Sequence, residues 1–147
     1  MSDKPTAAKQ AEKPKRPRPL PQPWMLTQPF WEATKRGKLL IQYDPVVKKY
    51  QFYPRPVSVY TGRRNLEWRE VSGKGTLFSF TETHVAPPGF EDLAPYMIGV
   101  IELDEGVRLM TPLQNITVDS AKLGMRVRVC WQKLSDEITY PAFEPDV

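Results

Sequence analysis

Few side chains in this sequence could carry out acid–base or nucleophilic chemistry. His84 is the only histidine and Cys130 the only cysteine, which excludes a site built on paired imidazoles and any internal disulfide. His84 lies in the stretch THVAPPGF, at the end of a predicted strand that enters a rigid loop, where functional side chains are common. No serine stands beside it in a nucleophile-elbow sequence, and a histidine that anchors the loop is the simpler interpretation.

The other reactive groups are better explained by structure than by catalysis. Cys130 falls in the alternating segment RVRVCWQKL, where a small apolar thiol packs well, whereas a reactive thiolate would need a lowered pKa and solvent access. Asp104 and Glu105 are adjacent carboxylates, but with Gly106 they form the tip of a predicted hairpin, where we expect them to be freely solvated. The sequence offers no catalytic constellation, and an enzyme that acts through His84 alone remains an alternative.

The net positive charge belongs to the first residues of the chain. The formal net charge is +4, and residues 1–18 carry six Lys or Arg against two acids, so residues 19–147 are balanced. A neutral body argues against nonspecific binding of nucleic acid, which needs a basic face. Residues 1–23 are proline-rich and without apolar periodicity, which predicts a disordered basic arm.

The same composition gives an expectation for the compartment. No apolar run is long enough to span a bilayer, and the first residues lack the apolar segment of a secretion signal. A single cysteine gives no reason to expect an oxidising compartment. The expectation is a cytoplasmic protein that makes no contact with a membrane.

Beyond the arm, the patterning predicts one short helix and then strands. Within residues 24–40, Thr27 is a plausible N-cap and Gly37 a plausible stop for a helix. In residues 67–147, five or six short segments show the period of two that is typical of strands, separated by turn sequences. Short antiparallel strands in close succession favour a small closed barrel of the OB type, because closure removes exposed edges.

Aromatic side chains are concentrated before the predicted barrel. Residues 24–60 are too few to bury so many rings among themselves, so either the barrel or a partner must cover them. Trp and Tyr commonly anchor partner surfaces. The residues concerned are Trp24, Phe30, Trp31, Tyr50, Phe52, Tyr53 and Tyr60.

Five segments follow one another in a recognisable order. They are PFWEATKRGKLLIQ, FYPRPV, EWREVSGKGTLFSFTETHVAPPGF, PYMIGVIELDEGVRLMTPL and LGMRVRV. This succession, over roughly residues 28–143, resembles the acyl-CoA-associated zinc-ribbon/OB-fold family, labelled domain of unknown function thirty-five. The resemblance implies a mainly β chain with an N-terminal helix, a rubredoxin-like ribbon over residues 41–66 and a C-terminal OB-fold barrel over residues 67–147.

The ribbon segment departs from the family pattern at its metal site. Alignment on the shared YPRPV places the four family cysteines at Asp44, Val47, Ser58 and Thr61, none of which is a thiolate. The resemblance therefore implies a degenerate ribbon that binds no zinc and no other cofactor. We expect its fold to be held by packing of the apolar and aromatic residues between positions 45 and 60.

The resemblance also implies partners. Family members pair with thiolase-fold enzymes (thiolases, acyltransferases or aldolases), or with MaoC-type enoyl-CoA hydratases, that act on coenzyme A thioesters. The implied function is a non-catalytic accessory subunit in a hetero-oligomer, with acyl-CoA as the substrate of the complex. An OB-fold protein that binds single-stranded nucleic acid is the alternative from another class, although the neutral barrel makes nucleic acid an unexpected ligand.

Two sets of site residues follow from this interpretation. We expect the helix and the ribbon to dock on the enzyme through aromatic side chains, and a loop and several arginines to lie near the substrate or its phosphates. The docking set is Trp24, Phe30, Trp31, Tyr50 and Phe52, and the set near the substrate or coenzyme A is Arg55, Arg63, Arg64, His84, Pro87, Pro88 and Phe90.

Overall fold

The computed structural model describes residues 16–147, so the first fifteen residues of the predicted arm lie outside the described residues. One helix and eight strands follow in chain order: α1 (Gln28–Lys35), β1 (Leu40–Asp44), β2 (Lys49–Gln51), β3 (Glu67–Glu70), β4 (Lys74–Thr83), β5 (Tyr96–Leu103), β6 (Arg108–Pro112), β7 (Arg126–Lys133) and β8 (Thr139–Pro145). The predicted mainly β architecture with an N-terminal helix is confirmed. Among the described residues, no helix has the length and apolar character needed to cross a membrane.

The strands form two sheets. One has three strands in the order β2-β1-β3, and the other has five in the order β6-β5-β4-β7-β8. The sequence places β3 at the start of the barrel, whereas in the structure it pairs with β1. Alternation identifies a strand but not the strand it pairs with, so this pairing could not be predicted from the sequence.

The helix packs one face on the rest of the chain. Phe30, Ala33 and Thr34 are buried, and the Thr34 hydroxyl donates to the Thr139 carbonyl at 2.6 Å, which fixes α1 to β8. Thr27 occupies the N-cap position, but its hydroxyl bonds back to Trp24 rather than to a helix N–H. Gly37, with a φ of 69°, lies just past the helix end, where a left-handed residue is favoured.

The five-stranded sheet curls until its two edges meet. The Gln114 N–H donates to the Phe143 carbonyl at 2.8 Å, and the Thr111 hydroxyl donates to the Pro141 carbonyl at 3.0 Å. Inside the curl lie fully buried side chains from every part of the sheet, including Leu77, Ile101 and Phe143. The curled sheet is thus a nearly closed barrel with its own apolar core.

The two acids at the tip of the β5–β6 hairpin both have hydrogen-bond partners, whereas the sequence predicts that they are freely solvated. Asp104 forms a two-pronged pair with Arg126 at 2.7 and 2.8 Å, and the hydrogen bond from Arg126 is the main cause that lowers the Asp104 pKa. Glu105 accepts a hydrogen bond from the Ser72 N–H at 2.7 Å. Both partners lie far away in the sequence, so the local pattern could not indicate them. The role of both acids is to tie the hairpin to the barrel.

Replacement by alanine should destabilise the barrel to different extents at Gly75 and Gly99. A Cβ on Gly75 would press on the backbone carbonyl of Glu102, whereas one on Gly99 would lie 2.9 Å from leucine methyl groups that can rotate away. We expect Gly75→Ala to lower the free energy of unfolding by about 2 kcal/mol, and Gly99→Ala, the matched control, by about 1 kcal/mol or less. Urea denaturation of both variants measures this, and equal losses would contradict it.

Candidate functional site

The positions predicted to replace the zinc ligands meet in the structure around one carboxylate. The Thr61 hydroxyl donates to Asp44 Oδ2 at 3.0 Å, and Ser58, whose hydroxyl is the largest cause of the lowered Asp44 pKa, lies beside it. The Val46 N–H donates to Asp44 Oδ1 at 2.8 Å. We call Asp44 with these donors the Asp44 cluster. It joins the turn after β1 to the turn around residues 58–61.

The Asp44 carboxylate is fully buried yet ionised. The hydrogen bond from Ser58 lowers the Asp44 pKa to about 2, with help from the other donors, although burial acts in the opposite direction. A carboxylate surrounded by hydrogen-bond donors, two hydroxyls and a valine do not fit tetrahedral zinc, which takes thiolate or imidazole ligands. The described residues also contain no group of three or more His, Cys, Asp or Glu that could hold a metal.

Two buried glutamines hold the loop after β2, and the sequence analysis missed them. Gln42 accepts the Arg55 N–H at 2.8 Å and donates to the Arg55 carbonyl at 2.9 Å. Gln51 donates to Gln42 at 3.0 Å and accepts the Val59 N–H at 2.9 Å. Their polar side chains at facing positions of β1 and β2 were the signal that could have revealed them. Residues 41–66 are therefore held by buried hydrogen bonds more than by the expected packing. Five of the apolar and aromatic side chains expected to pack are exposed, namely Val46, Val47, Tyr53, Val59 and Tyr60.

The predicted docking aromatics separate into buried and accessible residues. Phe30 is only 8% exposed and belongs to the core, where it contacts Trp31 edge to face with ring centroids 5.2 Å apart. Trp31, Tyr50 and Phe52 are half-buried against this core, and Trp24 is 56% exposed. Phe30 thus supports the surface from beneath, while the other four present area to solvent.

Trp31 lies where two grooves meet. The larger groove, about 710 Å³, runs between residues 20–25, α1 and the β7–β8 turn and includes Trp24, Met25 and Ile138. The smaller groove, about 230 Å³, lies between α1, the loop after β2 and the barrel, and includes Phe52, Tyr53, Met110 and Tyr140. Met110 is 75% exposed on β6. These accessible apolar side chains make the surface around Trp31 the strongest candidate for docking.

The loop expected near the substrate carries one histidine in an open setting. His84 Nε2 lies 2.8 Å from Glu82 Oε1, and the histidine side chain is 70% exposed. Pro87 and Pro88 are exposed, and Phe90 is half-buried, with its N–H bonded to the Pro87 carbonyl. Among the hydrogen bonds of residues 16–147, none brings a nucleophile to His84. An exposed histidine beside a half-buried carboxylate, with no nucleophile, is not a hydrolytic dyad.

The last part of the predicted arm packs on this loop. Arg18 pairs with Asp92 at 2.8 Å, and a Cβ on Gly89 would touch residues 17–19. Residues 17–19 therefore lie against the loop that follows β4.

The three predicted arginines lie on the loop that follows β2. Arg55 sits beside the two glutamines, and Arg63 and Arg64 follow the Asp44 cluster along the chain. All three side chains are exposed. Cys130 is distant from this loop in sequence, and burial raises the pKa of its thiol, which keeps it protonated and agrees with a structural role.

Comparison with known proteins identifies relatives of both the fold and the sequence. Residues 68–132 match the family described as ChsH2, C-terminal OB-fold domain, so the predicted OB-fold is confirmed. A solved structure described as "Ltp2-ChsH2(DUF35) aldolase" is similar, with a TM-score of 0.78, 32% identity and coverage of 87% of this chain and 100% of that one. A protein of the DUF35 family from Sulfolobus solfataricus, 13% identical, has the same fold with a TM-score of 0.58, over 83% of this chain and 86% of the other.

Curated relatives are similar over parts of their length. A "Probable enoyl-CoA hydratase alpha subunit" of Thermomonospora curvata is 36% identical over 120 residues, which are 80% of this chain and 37% of that protein. A "DUF35 domain-containing scaffold protein" of Methanocaldococcus jannaschii is 35% identical over 77 residues, 51% of this chain and 55% of that one. A "3-oxo-4,17-pregnadiene-20-carboxyl-CoA hydratase alpha subunit" of Mycobacterium tuberculosis is 31% identical over 125 residues, which are 80% of this chain and 37% of that protein. The chain thus spans between about a third and just over half of the length of these proteins.

Proposed function

The chain belongs to the DUF35 family, and from this membership we propose that it is a non-catalytic accessory subunit of a hetero-oligomeric complex that processes acyl-CoA thioesters. The observation that carries the proposal is the structural similarity to a chain of the solved structure described as "Ltp2-ChsH2(DUF35) aldolase". The similarity extends over the whole length of that chain. The lack of a catalytic constellation around His84 supports a role in binding rather than in chemistry.

The partner we propose is a thiolase-fold enzyme, namely a thiolase, an acyltransferase or an aldolase. The aldolase description of the similar solved structure favours this class. A MaoC-type enoyl-CoA hydratase is the second candidate, because two curated relatives are described as hydratase alpha subunits. In either case the enzyme would supply the reacting side chains, and acyl-CoA would be the substrate of the complex.

The docking surface in this proposal is the area around Trp31. Trp24 and Met25 on one side and Phe52 and Met110 on the other give it accessible apolar side chains. Phe30 packs beneath Trp31 and restricts it, which lowers the conformational entropy lost on binding. A large, partly preordered tryptophan at the centre of an apolar surface is typical of an interface hot spot.

The side chains proposed to lie near the substrate are His84, Phe90 and Arg55. Two prolines between His84 and Phe90 restrict the loop. The Arg55 backbone is fixed by Gln42, which leaves its exposed guanidinium free to meet a phosphate of coenzyme A.

The proposal is tested by purifying the full chain from its own host under gentle conditions, measuring the native mass and identifying any subunit that co-elutes. A thiolase-fold or hydratase subunit in fixed stoichiometry would support the proposal, and its active site would identify the chemistry. A monomer that binds neither class, or thioester turnover by the isolated chain, would contradict it. A titration with a single-stranded oligonucleotide tests the nucleic-acid alternative, and we expect no saturable binding.

The His84→Ala variant separates a binding role from a catalytic one. We expect kcat of the assembled complex to change less than about 3-fold, because a general acid or base contributes roughly 100-fold to 10,000-fold. Thioester turnover at saturating substrate measures this, with Glu82→Gln as the control that removes the histidine's partner. A loss of about 100-fold or more would make His84 a catalytic residue.

A further inference from the structure

The loop region between β1 and β3 carries positive charge that no acid of residues 16–147 pairs with. Residues 45–66 contain five Lys or Arg and no Asp or Glu. Within residues 16–147, none of these five lies within 4 Å of a carboxylate, whereas nine of the other twelve Lys and Arg side chains do. The five are Lys48, Lys49, Arg55, Arg63 and Arg64, and all are exposed.

Four of these cations border exposed apolar side chains. Val46 and Val47 precede Lys48 and Lys49, and Val59 and Tyr60 precede Arg63 and Arg64 in the chain. Val46 and Val59 are each 54% exposed. We call these eight residues the knuckle surface.

The two halves of the knuckle surface are held together. The Asp44 cluster links the two turns, and the Lys49 ammonium lies over the Tyr60 ring, 5.4 Å from its centroid. The Ser58 N–H also bonds the Arg63 carbonyl at 2.9 Å, which closes the second turn. The surface is therefore ordered before any partner arrives, and this reduces the cost of binding.

We infer that the knuckle surface is a second docking site, for an apolar patch rimmed by Asp and Glu on the acyl-CoA enzyme. This inference rests on the proposed function. Protein interfaces combine an apolar centre with a polar rim, and cations that pair with no carboxylate of the described residues are available for carboxylates across an interface. Long-range attraction between the two surfaces would also accelerate association.

The exposed valines favour a protein over a phosphate ligand. Single-stranded nucleic acid is bound by stacking bases on aromatic rings along a basic groove, and valine cannot stack in this way. Phosphates of coenzyme A, which the sequence suggested for Arg63 and Arg64, would leave the adjacent Val59 exposed to water. A protein partner is the ligand that would bury the valines and neutralise the cations together.

The experiment compares two charge reversals of equal size in the full chain, with the enzyme subunit that co-purifies with it as the probe. We expect Lys48→Glu/Arg63→Glu to slow association about 10-fold at low salt and to flatten its salt dependence. The matched control is Arg16→Glu/Lys122→Glu, which reverses two exposed cations outside the knuckle surface and both grooves, and it should behave like the unaltered chain. Val59→Asp should weaken the complex about 10-fold, with an unchanged melting temperature.

Two outcomes would overturn the inference while leaving the proposed function intact. One is association of Lys48→Glu/Arg63→Glu with wild-type rate and salt dependence. The other is that this variant binds the enzyme normally but no longer binds free coenzyme A or an oligonucleotide. That result would identify the knuckle surface as a binding site for phosphate groups. If neither a thiolase-fold nor a hydratase subunit binds the unaltered chain, the proposed function and this inference fail together.

Discussion

Replacing Asp44 with alanine is expected to detach the turn after β1 from the turn around residues 58–61 and to lower the melting temperature on the order of 10 °C. The substitution removes the acceptor for a set of inward-pointing donors, and buried donors without an acceptor are costly. The donors are the Val46 N–H, the Thr61 hydroxyl and the Asn65 side-chain amide. Thermal unfolding followed by circular dichroism measures the effect.

The control for this variant is Asp136→Ala. Asp136 has a single ion pair, with Lys133, and its side chain is 94% exposed, so its loss should change the melting temperature by about 1 °C or less. If Asp44→Ala also melted within about 2 °C of the unaltered chain, the Asp44 cluster would not hold the ribbon together.

The stabilisation from Asp44 should disappear in acid. Its pKa in the folded chain is about 2, below the usual value of 3.8, so the folded state favours the ionised carboxylate. The contribution is then complete above about pH 4 and is lost as the pH falls toward 2. The difference in melting temperature between Asp44→Ala and the unaltered chain should be constant from pH 7 to about pH 5 and shrink below about pH 4. A difference that grew in acid would contradict the low pKa.

The alignment of four positions of this chain with the family's zinc ligands can be tested directly. If Asp44, Val47, Ser58 and Thr61 occupy the former ligand positions, replacing all four with cysteine should create a tetrahedral thiolate site. One equivalent of Co²⁺ should then give an intense thiolate-to-metal charge-transfer absorption, and Zn²⁺ should raise the melting temperature. A variant in which only Ser58 and Thr61 become cysteine is the control and should bind more weakly.

Local sequence patterns predicted most of the elements but not the polar contacts between them. The period of two and the turn residues predicted strands within residues 67–147, where the structure has β3 to β8, and the hairpin tip at Gly106 was predicted from turn chemistry alone. The partners of Asp104 and Glu105 were missed because Arg126 and Ser72 belong to other parts of the chain. Hydrogen-bond partners across a fold depend on strand pairing, which periodicity does not specify.

Residues 41–66 give a second example of hydrogen bonds that the sequence did not predict. The missing cysteines indicated that zinc ligands are absent, but not that Asp44, Ser58 and Thr61 would bond to one another. The sequence places Phe30 in the docking set, whereas the structure buries it beneath Trp31. An aromatic residue near a binding surface is as often its support as its contact, and only burial distinguishes the two.

Substitution of Trp31 by alanine is expected to weaken the complex with the enzyme subunit at least about 100-fold, close to the loss seen when a central interface tryptophan is removed. Trp31 lines both grooves, so its loss would remove the feature they share. The dissociation constant, measured by calorimetry with the co-purified subunit, tests this prediction. A dissociation constant within about 3-fold of the wild-type value would remove α1 from the interface.

Because Trp31 also packs on Phe30, the variant will lose some stability, and two further variants separate folding from docking. Trp68→Ala truncates another tryptophan that is half-buried against the core but lines neither groove; it should cost similar stability and leave binding intact. Met110→Asp places a charge on a side chain that is 75% exposed in the smaller groove, and it should weaken binding about 10-fold with little change in melting temperature. Lost binding in Trp68→Ala as well as in Trp31→Ala would mean that stability, rather than the surface around Trp31, controls assembly.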